Sequence, residues 1–264
     1  TSEIFKVSSF DEKGFIFAPF NSESPVVLLK FNEHLQVPYV VREEKENVKQ
    51  IPRDSSDEKK ETHIKLVKKA ISKIENNAFE KVVLSRKIEF TCEKDPFVLF
   101  TSLLNKYVSA FCYLWYHPKV GMWLGATPEI LLKLENKRLT TMSLAGTKPY
   151  IKGGEVSWGT KEVEEQDLVT QYIIKALENR VDNLTSSKVE SIRAGNLWHL
   201  RTRLTADVKN ASLKNILYKL HPTPAVCGMP KENTKTFILK EENYDREYYT
   251  GYLGELNFKQ ENLR

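Results

Sequence analysis

Apolar and polar positions follow two different periods along this chain, and the two periods come in separate blocks. Apolar runs at Gly14–Phe20 and Val26–Phe31 are separated by polar turns, the pattern of paired strands. Residues 42–62 are almost wholly polar with one proline, and they read as a mobile surface loop rather than a domain boundary. From Thr62, Ile64, Val67, Ile71 and Ile74, with Leu66 and Ala70 beside them, keep the spacing of an amphipathic helix. The segment K-V-V-L-S-R at Lys81–Arg86 is β-branched and apolar behind its lysine, as a buried strand is.

A helical pattern over Pro96–Val108 follows, then strands around Phe111–Trp115, Gly121–Leu124, Ile130–Leu134 and Arg138–Leu144. The spacing of Val163, Leu168, Ile173, Leu177 and Val181 predicts a long helix over Lys161–Leu184. A strand over His199–Val208, a short helix over Ser212–Leu220, the H-P-T-P turn and a last strand near Tyr249–Leu256 complete the pattern. Strands a turn apart, with helices set apart in blocks, predict an α+β fold with largely antiparallel sheets. There is no internal repeat.

Composition narrows the class without naming a function. At 264 residues, 41% hydrophobic and 28% charged, the chain has material for one large domain or two small ones. No run of about 18 apolar residues and no basic-then-apolar leader is seen, so a cytoplasmic protein without membrane contact is expected. Cys92, Cys112 and Cys227 have no metal-ligand spacing and do not make a disulfide framework. The net charge of +5 is spread through the chain, with no basic stripe interleaved with aromatics. Nucleic acid is therefore not an expected partner, and anionic small substrates stay open.

Several polar residues could carry chemistry. Lys81 heads an apolar strand; it is either a snorkelling strand-end lysine or a desolvated base. Glu129, in L-G-A-T-P-E at Leu124–Glu129, is the one charge between Gly121 and Leu132. It is either an ordinary turn carboxylate or an acid whose pKa burial moves toward neutrality. Glu162 and Glu165 share a face of the long helix, where acids complement the helix dipole and could also reach one cation. S-L-A-G-T at Ser143–Thr147 joins a strand to a loop in which glycine permits close approach of a ligand. His199 and His221 read as structural on their own. The loop H-P-T-P-A-V-C-G-M-P is stiffened by its prolines, as loops lining sites are.

In this order K-V-V-L-S-R, L-G-A-T-P-E-I-L-L, S-L-A-G-T, K-E-V-E-E-Q-D-L-V, L-W-H-L, L-H-P-T-P-A-V-C-G-M-P and Y-D-R-E-Y-Y-T-G-Y-L-G resemble the motifs of the chorismate-binding enzyme family. The resemblance runs from Phe79 to Leu256. It implies an α+β fold of two large, mainly antiparallel sheets layered with helices, forming one chorismate-binding domain over residues 1–264. Family members that add water to chorismate carry lysine at the head of K-V-V-L-S-R and alanine in L-A-G-T, as Lys81 and Ala145 do here, whereas aminating relatives usually lack the lysine. The resemblance thus implies isochorismate synthase activity, with salicylate synthase or a non-catalytic chorismate-binding remnant as alternatives. The product would serve menaquinone or a siderophore.

The implied roles are specific. Lys81 takes a proton from the attacking water and Glu129 protonates the departing hydroxyl. Mg²⁺ is held by Glu165 with Glu162 close by, and Ala145, Gly146, Thr147, His199 and Ala225 bind the substrate. A monomer is expected. Gln166 stands where relatives often have histidine. Relatives also continue past the G-Y-L-G strand with further ligands for metal and substrate, so a C-terminal part is expected to be missing from this chain.

Overall fold

The computed structural model describes residues 3–30, 33, 35–42, 57–209 and 211–258. The chain runs β1 (Phe5–Lys6), β2 (Gly14–Ala18), β3 (Val27–Leu29), α1 (Asp57–Glu75), β4 (Lys81–Val82), α2 (Pro96–Lys106), β5 (Phe111–His117) and β6 (Gly121–Thr127). It continues through β7 (Lys133–Glu135), β8 (Arg138–Pro149), α3 (Thr160–Leu177), β9 (Asp182–Ser186), β10 (Glu190–Ala194) and β11 (Leu197–Asp207). The last elements are α4 (Leu213–Leu220), β12 (Gly228–Met229), α5 (Lys231–Glu241) and β13 (Tyr252–Leu256).

Every strand pairing among the described residues is antiparallel, as expected for an α+β fold. Two larger sheets dominate: one in the order β1-β3-β2-β13, the other β10-β11-β8-β7 with β9 also on β11. Two short ladders, β4–β12 and β5–β6, stand beside them. The long β8–β11 pair is the backbone of the second sheet, running from Leu197 opposite Pro149 to Asp207 opposite Arg138. Against it α3 lays Val169, Ile173 and Leu177, which meet Leu139, Ala145 and Leu204 and the α4 residues Ile216 and Leu220. Fully burying side chains of this size is worth about 2 kcal/mol each, so this contact fixes how α3 sits on the sheet.

The sequence pattern and the structure part at identifiable places. Helix α1 starts at Asp57, so residues 57–62 are helical rather than loop, and the rest of the expected loop, apart from Arg42, lies outside the described residues. Its inward face is Leu66 and Ala70, packed with Phe79 and Phe237, while Val67, Ile71 and Ile74 are turned out. Helix α3 ends at Leu177 because Glu178 is extended and Asn179 takes a left-handed conformation at φ 61°. Of the residues expected at its end, 178–180 form a turn, Val181 follows it, and 182–184 belong to β9. Helix α5 escaped the apolar pattern because Thr234 and Lys235 share its buried face with Phe237 and Ile238.

Candidate active site

Lys81 is placed by the β4–β12 ladder, where it lies opposite Met229. The two backbones approach so closely that a Cβ on Gly228 would lie 2.3 Å from the Lys81 carbonyl oxygen, so only glycine fits. The ladder is extended by Glu80 N–H to Met229 O at 2.8 Å and Val83 N–H to Cys227 O at 2.8 Å. From this support the Lys81 side chain, 14% exposed, puts Nζ 2.8 Å from Glu165 Oε1. That nitrogen makes no hydrogen bond of good direction, so the contact is an ion pair by proximity and not an aligned bond.

Glu129 leaves the end of β6 through the Thr127-Pro128 turn, its backbone N–H donating to Thr127 Oγ1 at 3.2 Å. Protein packed around the carboxyl pushes its pKa up to about 7, and the Lys81 charge pulls part of the way back. The residue as a whole keeps some contact with solvent.

Gly146 sits in β8 where the register with β11 slips: Thr147 faces His199 and Ala145 faces Leu200. With φ 71°, and with Glu162 O only 3.0 Å from where a Cβ would stand, this glycine lets the first turn of α3 descend onto the sheet. Thr147 Oγ1 and His199 Nδ1 share a hydrogen bond of 3.1 Å. Burial lowers the His199 pKa, with the Gly146 backbone bond opposing it, so the ring is neutral at pH 7.

Glu129, Ala145, Gly146, Thr147, Glu165, His199 and Ala225 line one pocket of about 260 Å³, together with Thr127, Pro128 and Leu144. Lys81 reaches it through Glu165. Larger hollows of about 390 and 1170 Å³ lie elsewhere, so size alone does not select this pocket; the buried acid does. Glu162 stands apart: its Oε2 accepts the Gly159 N–H at 2.9 Å and lies 3.6 Å from Lys148 Nζ. The Gly159 bond is the main reason its pKa is lowered. Residues that the sequence pattern did not single out include Thr127, readable as the turn partner in T-P-E, and Ser143, Thr170 and Thr202. Their three hydroxyls surround the Gln166 amide at 2.8–3.0 Å beneath the site.

Among the described residues no three His, Cys, Asp or Glu side chains gather as a metal site. Glu165 and Glu162 nevertheless offer hard oxygen donors one turn apart, and Mg²⁺ commonly takes only one or two carboxylates. Their described contacts fall on Oε1 of Glu165 and Oε2 of Glu162, leaving one oxygen of each outside those contacts. Carboxylate oxygens are the donor type that Mg²⁺ takes. No helix among the described residues is long and apolar enough to cross a membrane.

Residues 27–262 match the family described as chorismate binding enzyme. The chain is 31% identical over 202 residues to isochorismate synthase MenF of Pasteurella multocida, covering 71% of this chain and 46% of that protein. It is 32% identical over 191 residues to isochorismate synthase EntC of Escherichia coli K12, covering 66% and 48%. The chain thus spans about half the length of the curated relatives it matches. Its fold superposes with a TM-score of 0.74 and 25% identity on a Bacillus anthracis protein described as a 2,3-dihydroxybenzoate-specific isochorismate synthase, DhbC, covering 93% of this chain and 70% of the other. The fold also matches anthranilate synthase component I of Streptococcus pneumoniae, at TM-score 0.65 and 20% identity.

Proposed function

This chain belongs to the chorismate-binding enzyme family, and from that premise we propose that it carries the site at which chorismate is converted to isochorismate. The observation that carries the reading is Glu129: a carboxyl held near neutrality by burial, in the pocket that Lys81 reaches through Glu165. An acid with a pKa of about 7 is both protonated often enough to donate and acidic enough to do so at neutral pH.

Lys81, as the free amine, takes a proton from a water molecule whose oxygen bonds to the substrate ring. The diene electrons shift, the ring carbon–hydroxyl bond breaks, and Glu129 gives its proton to that oxygen, which leaves as water. One water enters and one departs, so the net change is an isomerisation. In the conformation described here Lys81 is the charged partner of Glu165, and the base role requires that pair to open. The Ala145–Thr147 wall, His199 and Ala225 enclose the substrate, with neutral His199 and the Thr147 hydroxyl as hydrogen-bonding groups. Mg²⁺ held by Glu165 and Glu162 would supply positive charge against the substrate carboxylate.

The same reading makes the protein a single-domain cytoplasmic monomer whose partner is chorismate, with no nucleic acid or membrane, in menaquinone or siderophore synthesis. Its test is chromatography of products after incubating the full-length protein with chorismate and Mg²⁺. Isochorismate as the sole product supports the reading. Salicylate with pyruvate makes the protein a salicylate synthase, and no turnover by folded protein makes it a chorismate-binding remnant.

A further inference from the structure

Strand β4 ends at Val82, and residues 83–95 belong to no helix or strand. The Val83 carbonyl is met by a side chain instead. Arg246 Nη2 donates to Val83 O at 2.8 Å, and Nη1 donates to Val226 O at 2.9 Å, next to pocket residue Ala225. The remaining donors are also placed: Nε to Glu242 Oε2 at 2.7 Å, Nη2 to Glu242 Oε1 at 2.6 Å, and Nη1 to Thr250 Oγ1 at 3.3 Å. All five guanidinium N–H groups therefore have acceptors. Glu242 Oε1 closes the arrangement by accepting the Ser85 N–H at 2.8 Å and the Ser85 hydroxyl at 2.9 Å. Both charged side chains are buried, at 2% and 1% exposure.

A buried ion pair is an inefficient way to stabilise a fold, because desolvation offsets its attraction and apolar residues of like volume often do as well. What an apolar residue cannot do is hold two backbone carbonyls from different segments at a fixed separation. Here those segments are the one that carries Lys81 and the one that carries Ala225. We infer that Arg246, oriented by Glu242, is a positioning residue. It locks the Lys81 segment to the pocket wall and thereby sets where the Lys81 amine stands. The inference rests on the role given to Lys81 above.

The test is Arg246→Lys in the full-length protein, since one ammonium cannot serve two carbonyls and both carboxylate oxygens together. Amide exchange should quicken by about tenfold or more over residues 81–85 and 226–229 and stay unchanged over α3. The kcat for chorismate should fall by about tenfold or more with KM within about threefold, because a displaced base impairs the step and not the binding. A folded variant with a lower melting temperature but a kcat within about twofold of wild type overturns the inference, as does unchanged exchange in the two segments. If Arg246→Lys does not fold, Glu242→Gln, which frees the guanidinium from its charged anchor, is held to the same criteria. Should the wild-type protein fail to turn over chorismate, the functional reading falls, and the exchange measurement alone still decides whether Arg246 locks the two segments.

Discussion

Lys81 Nζ lies 2.8 Å from Glu165 Oε1, so the residue given the proton-taking role is paired with the residue given the cation-binding role. In this structure each group is engaged by the other. The pair therefore links the two halves of the site, one on the β4 strand and one on the first turns of α3.

Removing the lysine tests its role. Lys81→Ala should fold, because Gly228 and the β4–β12 ladder hold the backbone without the side chain. It should lose about 10²- to 10⁴-fold in kcat, the usual contribution of a positioned acid or base. Near-normal steady-state isochorismate formation by this variant would remove Lys81 from the mechanism.

As the proposed proton donor, Glu129 should set a pH limit on the rate. It must be protonated to donate, so activity should fall as pH rises through about 7. Glu129→Gln should be slow at every pH and lack that limb. A pH–rate profile with the same alkaline limb in the variant would assign the titration to another group.

The same carboxyl makes the fold pH-dependent. Its pKa is higher folded, about 7, than the ordinary value of 4.5, so the folded state binds more protons between those values. The stabilising contribution is complete below about pH 4.5 and is lost as pH rises through about 7, an upper figure of about 3 kcal/mol given the remaining solvent contact. Denaturant titrations at pH 5 and pH 8 should therefore show Glu129→Gln gaining on wild type at the higher pH. An equal difference at both pH values would mean the carboxyl is not raised.

Two substitutions probe the support of α3. Gly146→Ala places a methyl 3.0 Å from Glu162 O at φ 71°, and should cost about 1–3 kcal/mol with a melting temperature lower by several degrees. Gln166→Leu leaves the Ser143, Thr170 and Thr202 hydroxyls without the buried amide they surround, at a cost of about 1–3 kcal/mol. Calorimetry checks both, and wild-type melting in either would mean that α3 is held by its apolar contacts alone.

Much of the fold was legible because its signals are local. Along β11 the residues Leu200, Thr202, Leu204 and Ala206 are buried in strict alternation, and Ser212 caps α4 where the pattern placed a helix start. The short Lys81 strand was visible only as part of a longer apolar run, since its partner, Gly228–Met229, is distant in sequence. Helix α5 was hidden by its buried Thr234 and Lys235. At the site, Glu129 could be singled out as an isolated charge, but its raised pKa depends on packing that no single segment contains. Glu162 carries a contact that the acidic start of α3 did not reveal: its Oε2 accepts the Gly159 N–H as a cap. The contacts of Arg246 and Glu242 join three stretches of chain and had no sequence signal beyond an acid and a base four residues apart.

The central claim is that solvent water supplies the new ring hydroxyl in this pocket. The measurement is the mass of isochorismate formed from chorismate and Mg²⁺ in ¹⁸O-labelled water. The account predicts one solvent oxygen in every product molecule, with formation suppressed in Lys81→Ala and Glu129→Gln. Unlabelled isochorismate, or equal rates in the two variants and wild type, would contradict it.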